Sequence, residues 1–242
     1  MKAQTLFFFL LIVTVTSITG QQLKDRPVSP KAIQQSKKAA RILETVMGKP
    51  EEGRIPKALL SKAVAVAIVN DVDSIGFVFE GIAKGSGVVT RHFSDGKWSA
   101  PAYIFIRAAS LRPQLSANSF HVILLFMNEK SADWLLAKKY LEFDRAKAPV
   151  AGPVGEIRTE QKEVVPVADV FAYVFDEGRL QGADLKNLLQ HVMVSFDNDL
   201  NRATYGVTAA DILDELHGNK PVRTPVEVMG FSDAVARYCS SE

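Results

Sequence analysis

Cysteine and histidine are scarce in this chain, and their scarcity limits the chemistry available to it. Among 242 residues there is one cysteine, Cys239, and there are four histidines, at positions 92, 121, 191 and 217. A single cysteine excludes an intramolecular disulfide framework and leaves either a passive thiol or an intermolecular disulfide. No two histidines have the spacing of a metal-ligand pair. We therefore expect no metal, no cofactor and a fold that is held by its hydrophobic core.

Recognisable catalytic motifs are missing as well. The segment Gly85–Gly87 is not a nucleophile elbow, because Lys84 and Val88 stand where that motif has glycines. No phosphate-binding GxxxxGK[ST] loop is present. Oxygen-bearing side chains at residues 197–201 lack the glycine and distal glutamate of an EF-hand loop, so they form either a calcium site or a solvated turn. We expect no catalytic residue and a protein that is not an enzyme.

The apolar run Leu6–Val13 is too short to cross a bilayer, which takes about 20 apolar residues. It follows Lys2 and precedes a stretch of small and polar residues, which is the pattern of a secretory signal peptide. We predict cleavage near Gly20, with Ser17 and Thr19 as alternative sites, and a secreted or periplasmic protein. The alternative is an uncleaved membrane anchor.

Charge is distributed unevenly along the chain. Residues 21–62 contain ten lysines and arginines against four acidic residues, a net charge of +6, whereas residues 63–242 carry a net charge of −5. A basic arm of this kind is attracted to anionic surfaces such as membranes or nucleic acid. Export argues against nucleic acid as a partner.

The basic arm contains a predicted amphipathic helix. Ser29 and Pro30 are a typical N-cap and first helical residue, and Gly48 with Pro50 is a typical stop. At 100° per residue the basic side chains Lys37, Lys38 and Arg41 lie opposite an apolar face formed by Ala32, Ser36, Ala39, Ala40, Leu43, Val46 and Met47. The apolar face either packs on the domain or contacts a membrane, and the two interpretations can hold together.

The rest of the chain favours an α+β fold. Residues 63–69 form a continuous apolar, β-branched run, and the turn Ser94–Lys97 separates two further strand patterns as in a hairpin. Hairpins outnumber crossovers, so we predict a mostly antiparallel, curled, barrel- or sandwich-like sheet with N-terminal and C-terminal helices. The predicted organisation is a signal peptide (1–20), a short lead (21–28), one domain (29–217) and a C-terminal tail (218–242).

Several short segments occur in an order that is characteristic of one family. The chain resembles the SYLF domain family from about residue 30 to residue 215. The matching segments are Ile55-Pro56, AVAVAIV at 63–69, GFVFEG at 76–81, GSGVV at 85–89, DGKWSAP at 95–101, AGPVG at 151–155, Tyr173 with residues 178–180, Tyr205-Gly206 and residues 211–213.

The resemblance implies a non-enzymatic module that binds membrane lipid. Eukaryotic members bind phosphoinositides, with an amphipathic N-terminal helix implicated, and some bind actin. For an exported chain we expect anionic phospholipid instead, bound by the basic residues Lys37, Lys38 and Arg41 of the corresponding helix. Apolar insertion by Leu43, Val46 and Met47 would compete with their packing.

This chain also departs from the family pattern, and a second function stays open. Residues 107–118 contain no glycine where relatives have a glycine-rich stretch, so if that stretch shapes the lipid site we expect a different geometry here. The alternative function is a structural or interaction module that binds another envelope or extracellular protein through the Trp98 hairpin or the acidic body. Packing of Trp98 on the sheet is the ordinary interpretation of that residue.

Overall fold

The computed structural model describes residues 27–77, 80–108, 110–111, 119–137, 141–142, 150–151, 169–182, 189–190, 193–214 and 222–240. The predicted signal peptide, most of the predicted lead and residues 112–118 of the glycine-free stretch lie outside the described residues. No helix in the described ranges is both long enough and apolar enough to cross a membrane.

Six α-helices lie within the described residues. The helices are α1 (Pro30–Met47), α2 (Lys57–Leu60), α3 (Glu129–Ala137), α4 (Asn198–Tyr205), α5 (Ala209–Leu213) and α6 (Gly230–Cys239), with short 3-10 helices at Glu51–Gly53 and Val226–Val228. A capping box begins α5: the Thr208 side chain accepts from the backbone N–H of Asp211, and the Asp211 carboxylate accepts from the backbone N–H of Thr208.

Within the described ranges the strands form one large sheet and one small two-stranded pair. The strands are β1 (Ala65–Phe77), β2 (Glu80–Arg91), β3 (Ala102–Ala108), β4 (Ser110–Leu111), β5 (Ser119–Phe126), β6 (Leu141–Glu142), β7 (Val150–Ala151), β8 (Val170–Asp176), β9 (Arg179–Gly182), β10 (Leu189–Gln190) and β11 (Met193–Phe196). The large sheet has the order β6-β11-β3-β2-β1-β5-β8-β7, with β9 paired to β8, and β10 pairs with β4.

Among the described strands nearly all of the pairing is antiparallel, and only the two-residue β7–β8 contact is parallel. The apolar run predicted as a buried strand lies at the centre of the sheet, where residues 65–69 of β1 are 0–1% exposed between β2 and β5. The predicted α+β fold with a mostly antiparallel sheet and helices near both ends is therefore confirmed.

A bulge interrupts β1 at Asp71. The register shifts between Asn70 and Asp73 toward β2 and between Val69 and Val72 toward β5. Asp71 has a φ of 45°, a conformation that aspartate tolerates better than most residues. A bulge in a central strand re-aims its side chain, and here the Asp71 carboxylate reaches α1, where it pairs with Lys38.

Helices α1 and α6 pack against each other, and α1 also lies on β1 and β2. Eight residues of α1 are buried, namely Ala32, Ser36, Ala39, Ala40, Ile42, Leu43, Val46 and Met47. This set is the predicted apolar face with Ile42 added. The segment 218–242, predicted as a tail, supplies α6, whose residues Phe231, Ala234 and Val235 are fully buried in the same core.

Candidate functional site

Helix α1 is held to the sheet by hydrogen bonds as well as by apolar packing. The hydroxyl of Tyr103 on β3 donates to the backbone carbonyl of Ala32 at 3.2 Å and lies 3.3 Å from the hydroxyl of Ser36. Burial raises the pKa of Tyr103 and thereby keeps this hydroxyl protonated as a donor. These contacts place one face of α1 against the core and leave the opposite face toward solvent.

The six residues predicted to contact lipid lie on different faces of α1. Leu43 and Val46 are 0% exposed and Met47 is 5% exposed, so their side chains belong to the core. Lys37 and Arg41 are exposed and Lys38 is half-buried. The structure therefore brings together the three basic residues on one surface and assigns the three apolar residues to packing, the alternative left open by the sequence.

The basic face of α1 is only partly neutralised. Lys38 pairs with Asp71 on β1, whereas within the described part of the chain neither Lys37 nor Arg41 has an ion-pair partner. Like charges four residues apart on a helix repel weakly, and Lys37 and Arg41 have that spacing. Their positive charge is thus available to an anion.

A groove runs between this basic face and the sheet. Its volume is about 790 Å³, and its helix side includes Lys37, Lys38 and Arg41 beside the apolar side chains of Ile33 and Ile42. We call this cavity the helix groove. Its size falls within the range of small-molecule sites, and it combines cations at the rim with apolar side chains below them.

The sheet side of the helix groove is formed by His121 on β5 and Phe175 on β8. Their rings stack with centroids 6.1 Å apart, and the ammonium group of Lys49, just past the end of α1, lies 5.8 Å from the centre of the Phe175 ring. The groove therefore has an aromatic wall on its sheet side, and a further cation lies beside Phe175.

His121 is held in its neutral form. Its Nδ1 accepts a hydrogen bond of 3.0 Å from the backbone N–H of Asp71, which requires an unprotonated nitrogen. Burial lowers the pKa of His121, the charge of Lys38 lowers it further, and the carboxylates of Asp71 and Asp176 oppose this shift. His121 thus anchors the bulge of β1, which is a structural role.

Sequence reasoning did not find the sheet side of the groove. Phe175 and His121 are distant from α1 in sequence and become its neighbours through the pairing of β5 with β8, where His121 lies opposite Phe175. The charge pattern of the N-terminal arm indicated the cations, but no local pattern around Phe175 distinguishes it from the other apolar residues of β8.

The oxygen-rich segment 197–201 is used within the fold. Asp197 caps α4 by accepting from the backbone N–H of Leu200 at 3.0 Å, and its carboxylate also pairs with Lys31 at 3.1 Å. Asn201 exchanges two hydrogen bonds with the backbone of Tyr103. Within the described residues no group of three or more His, Cys, Asp or Glu side chains is arranged to hold a metal ion.

Two further residues singled out by the sequence also pack on the core. Trp98 is half-buried against the core and its ring lies 5.1 Å from that of His92. Cys239 is buried in α6, and burial raises the pKa of its thiol to about 12. A protonated, buried thiol is a poor nucleophile.

The sequence of this chain matches a known protein family. The sequence model of the family described as Ysc84, "Las17-binding protein actin regulator", matches residues 107–238. Among curated proteins, Protein YSC84 of Saccharomyces cerevisiae is 26% identical over 169 residues, which is 67% of this chain and 36% of that protein.

Two other relatives show the same extent of similarity. LAS seventeen-binding protein 3 of Saccharomyces cerevisiae is 28% identical over 174 residues, covering 67% of this chain and 36% of the relative. The human SH3 domain-containing YSC84-like protein 1 is 24% identical over 166 residues, covering 67% of this chain and 48% of the relative. The chain thus spans about a third to a half of the length of these relatives. More than half of the chain matches the family model, and the chain belongs to the Ysc84 (SYLF) domain family.

Proposed function

We propose that this protein is an exported, non-enzymatic lipid-binding protein that associates with anionic phospholipid through the basic face of α1 and the helix groove. The observation that carries the proposal is the exposed pair Lys37 and Arg41, which have no ion-pair partner in the described ranges, above a groove of about 790 Å³ with apolar and aromatic walls. Cations above an apolar cavity complement a phospholipid, which has an anionic headgroup and apolar chains.

The charges set the expected strength of this association. A lysine or arginine near an anionic membrane surface contributes about 1 kcal/mol. Lys37 and Arg41 together contribute about 2 kcal/mol, or roughly thirtyfold in affinity, and Lys38 adds less because Asp71 already neutralises it. The buried positions of Leu43, Val46 and Met47 favour binding without insertion of α1, so salt should weaken it strongly.

Vesicle co-sedimentation tests the proposal. The purified protein and the variant Lys37→Glu/Lys38→Glu/Arg41→Glu are compared on phosphatidylcholine vesicles with and without phosphatidylglycerol. A matched control reverses three exposed basic residues that line neither cavity, Lys97→Glu/Lys130→Glu/Arg202→Glu. We expect the groove variant to lose binding and the control to keep most of it. If both variants lost vesicle binding equally, the interaction would depend on the net charge of the protein and not on the groove. If the unchanged protein did not bind anionic vesicles, the proposal would be refuted.

Export is the part of the proposal that rests on the N-terminal sequence alone. The run Leu6–Val13 between Lys2 and a small-residue stretch supports a signal peptide. The intact mass of protein recovered from outside the cytoplasm should correspond to a chain that begins at Gln21. A mass that still includes Lys2 would contradict cleavage and favour an uncleaved anchor.

A second candidate function is the binding of another protein, and the names of the relatives favour it. One relative is called a LAS seventeen-binding protein, and the family is described as an actin regulator. This chain covers 36% of the length of that relative and 48% of the length of the human relative. For an exported chain we propose an envelope or extracellular protein as such a partner. A stable partner in a pull-down, together with no vesicle binding, would favour this function over the lipid.

A further inference from the structure

A second cavity lies on the other side of Lys38 from the helix groove. It has a volume of about 490 Å³ and lies between the N-terminal half of α1 and strands β1, β2 and β3. Lys38 and Gln34 line both cavities. We call this second cavity the polar pocket, because its lining is dominated by charged and hydrogen-bonding side chains.

The floor of the polar pocket contains a row of charges that run across three strands. Asp73 on β1 lies opposite Lys84 on β2, and Lys84 lies opposite Arg107 on β3. Like charges directly opposite each other on neighbouring strands destabilise a sheet. Within the described part of the chain, neither Lys84 nor Arg107 forms an ion pair. An anion placed between them would remove this repulsion.

The other charges around the pocket are already paired. Lys31 forms an ion pair of 3.1 Å with Asp197, and Lys38 pairs with Asp71. The unpaired positive charge is therefore concentrated at Lys84 and Arg107, on the side of Lys84 that faces away from Asp73. Half-buried Ser86, next along β2 on the same side of the pocket, adds a hydroxyl donor.

We infer that the polar pocket binds a phosphate group, held between Lys84 and Arg107. The guanidinium group of arginine presents paired N–H donors that match two phosphate oxygens, and lysine supplies a point charge. A volume of about 490 Å³ accommodates a phosphate ester with the group attached to it. The ester is either a phospholipid headgroup, in which case the inference rests on the proposed lipid binding, or a soluble phosphorylated molecule.

The test uses the variant Lys84→Gln/Arg107→Gln and a control with the same loss of charge, Arg179→Gln/Arg202→Gln. All four side chains are exposed, so neither variant should unfold at a lower temperature than the unchanged protein, and loss of the repulsion between Lys84 and Arg107 should stabilise the pocket variant slightly. Isotope-labelled protein is titrated with inorganic phosphate and, at equal ionic strength, with sodium chloride. We expect saturable shifts of the amide resonances of residues 84–86 and 105–107 with phosphate only. The pocket variant should weaken phosphate binding by about tenfold or more, and the control should not.

Vesicles of phosphatidylcholine and phosphatidylglycerol then distinguish the two sources of phosphate. If the pocket variant loses both phosphate and vesicle binding, the ligand is a lipid headgroup. If it loses phosphate binding but binds vesicles normally, the ligand is a soluble phosphate ester. The absence of saturable phosphate shifts, or shifts that the pocket variant retains, would overturn the inference. Loss of vesicle binding in the α1 variant would still support the proposed function in that case.

Discussion

Lys38 on α1 forms an ion pair with Asp71, the residue that the bulge of β1 turns toward the helix. This pair lies between the helix groove and the polar pocket, since Lys38 lines both cavities. The Asp71 carboxylate therefore competes with any anion that approaches Lys38.

Asp71→Asn should strengthen binding to anionic vesicles. The change removes the competing carboxylate, and asparagine tolerates the positive φ of this position. Both partners are more than 40% exposed, so the free energy of unfolding should fall by less than about 1 kcal/mol. We expect a gain in vesicle affinity of about fivefold, from one released cation. Asp95→Asn, which frees Lys97 in the distant hairpin, is the control with the same charge change. Equal gains in both variants would assign the effect to net charge.

Leu43→Ala should destabilise the protein without abolishing vesicle binding. Leu43 lies on the core-facing side of α1 and is fully buried. Truncation of a buried leucine to alanine costs about 2–5 kcal/mol of stability. Denaturant unfolding measures this loss, and Lys37→Gln on the exposed face should change stability by less than about 0.5 kcal/mol. A Leu43→Ala protein of unchanged stability that no longer binds vesicles would assign Leu43 to the membrane instead of the core.

Gly87→Ala should prevent the normal pairing of β1 with β2. A Cβ atom at Gly87 would lie 2.2 Å from the backbone oxygen of Ile68 and 2.7 Å from the Cα of Val69, and backbone atoms cannot move aside cheaply. We expect a loss of stability of more than about 3 kcal/mol or failure to fold. Gly230→Ala is the matched control, because a Cβ there meets open space and alanine favours the helix. A stable Gly87→Ala protein, measured by thermal unfolding, would contradict the close approach of the two strands.

Acidification should destabilise the protein through His121. Burial lowers the pKa of His121 in the folded protein below its ordinary value of 6.5, so the unfolded chain binds this proton more readily. The stabilising contribution is complete above pH 6.5 and is lost as the pH falls below 6.5 toward the folded pKa. Protonation also removes the acceptor for the backbone N–H of Asp71.

The pH dependence is measured by denaturant unfolding of the unchanged protein and His121→Gln between pH 5 and pH 8, about the range over which histidine titrates. The variant should be less stable at pH 8 and should lose less stability on acidification. Parallel pH profiles for the two proteins would show that other groups account for the dependence.

The sequence by itself determined helix α1, the apolar first part of β1 and the position of the cations on α1. The caps at Ser29–Pro30 and Gly48, the apolar periodicity of α1 and the β-branched run of β1 are local patterns, and local patterns act through backbone conformation and the burial of one face. The placement of Lys37, Lys38 and Arg41 opposite the apolar face of α1 follows from the same geometry.

Only the tertiary structure decided what those residues face. From the sequence, the apolar face of α1 could contact either a membrane or the core of the domain. The packing of α1 on the sheet and on α6 places Leu43, Val46 and Met47 in the core. The ion pair of Lys38 with Asp71 depends on a bulge in β1. The aromatic wall of the groove, His121 and Phe175, depends on the pairing of β5 with β8. These contacts join residues 33 or more positions apart, and their register is set by the whole sheet, because shifting a strand by one residue would turn its side chains to the opposite face.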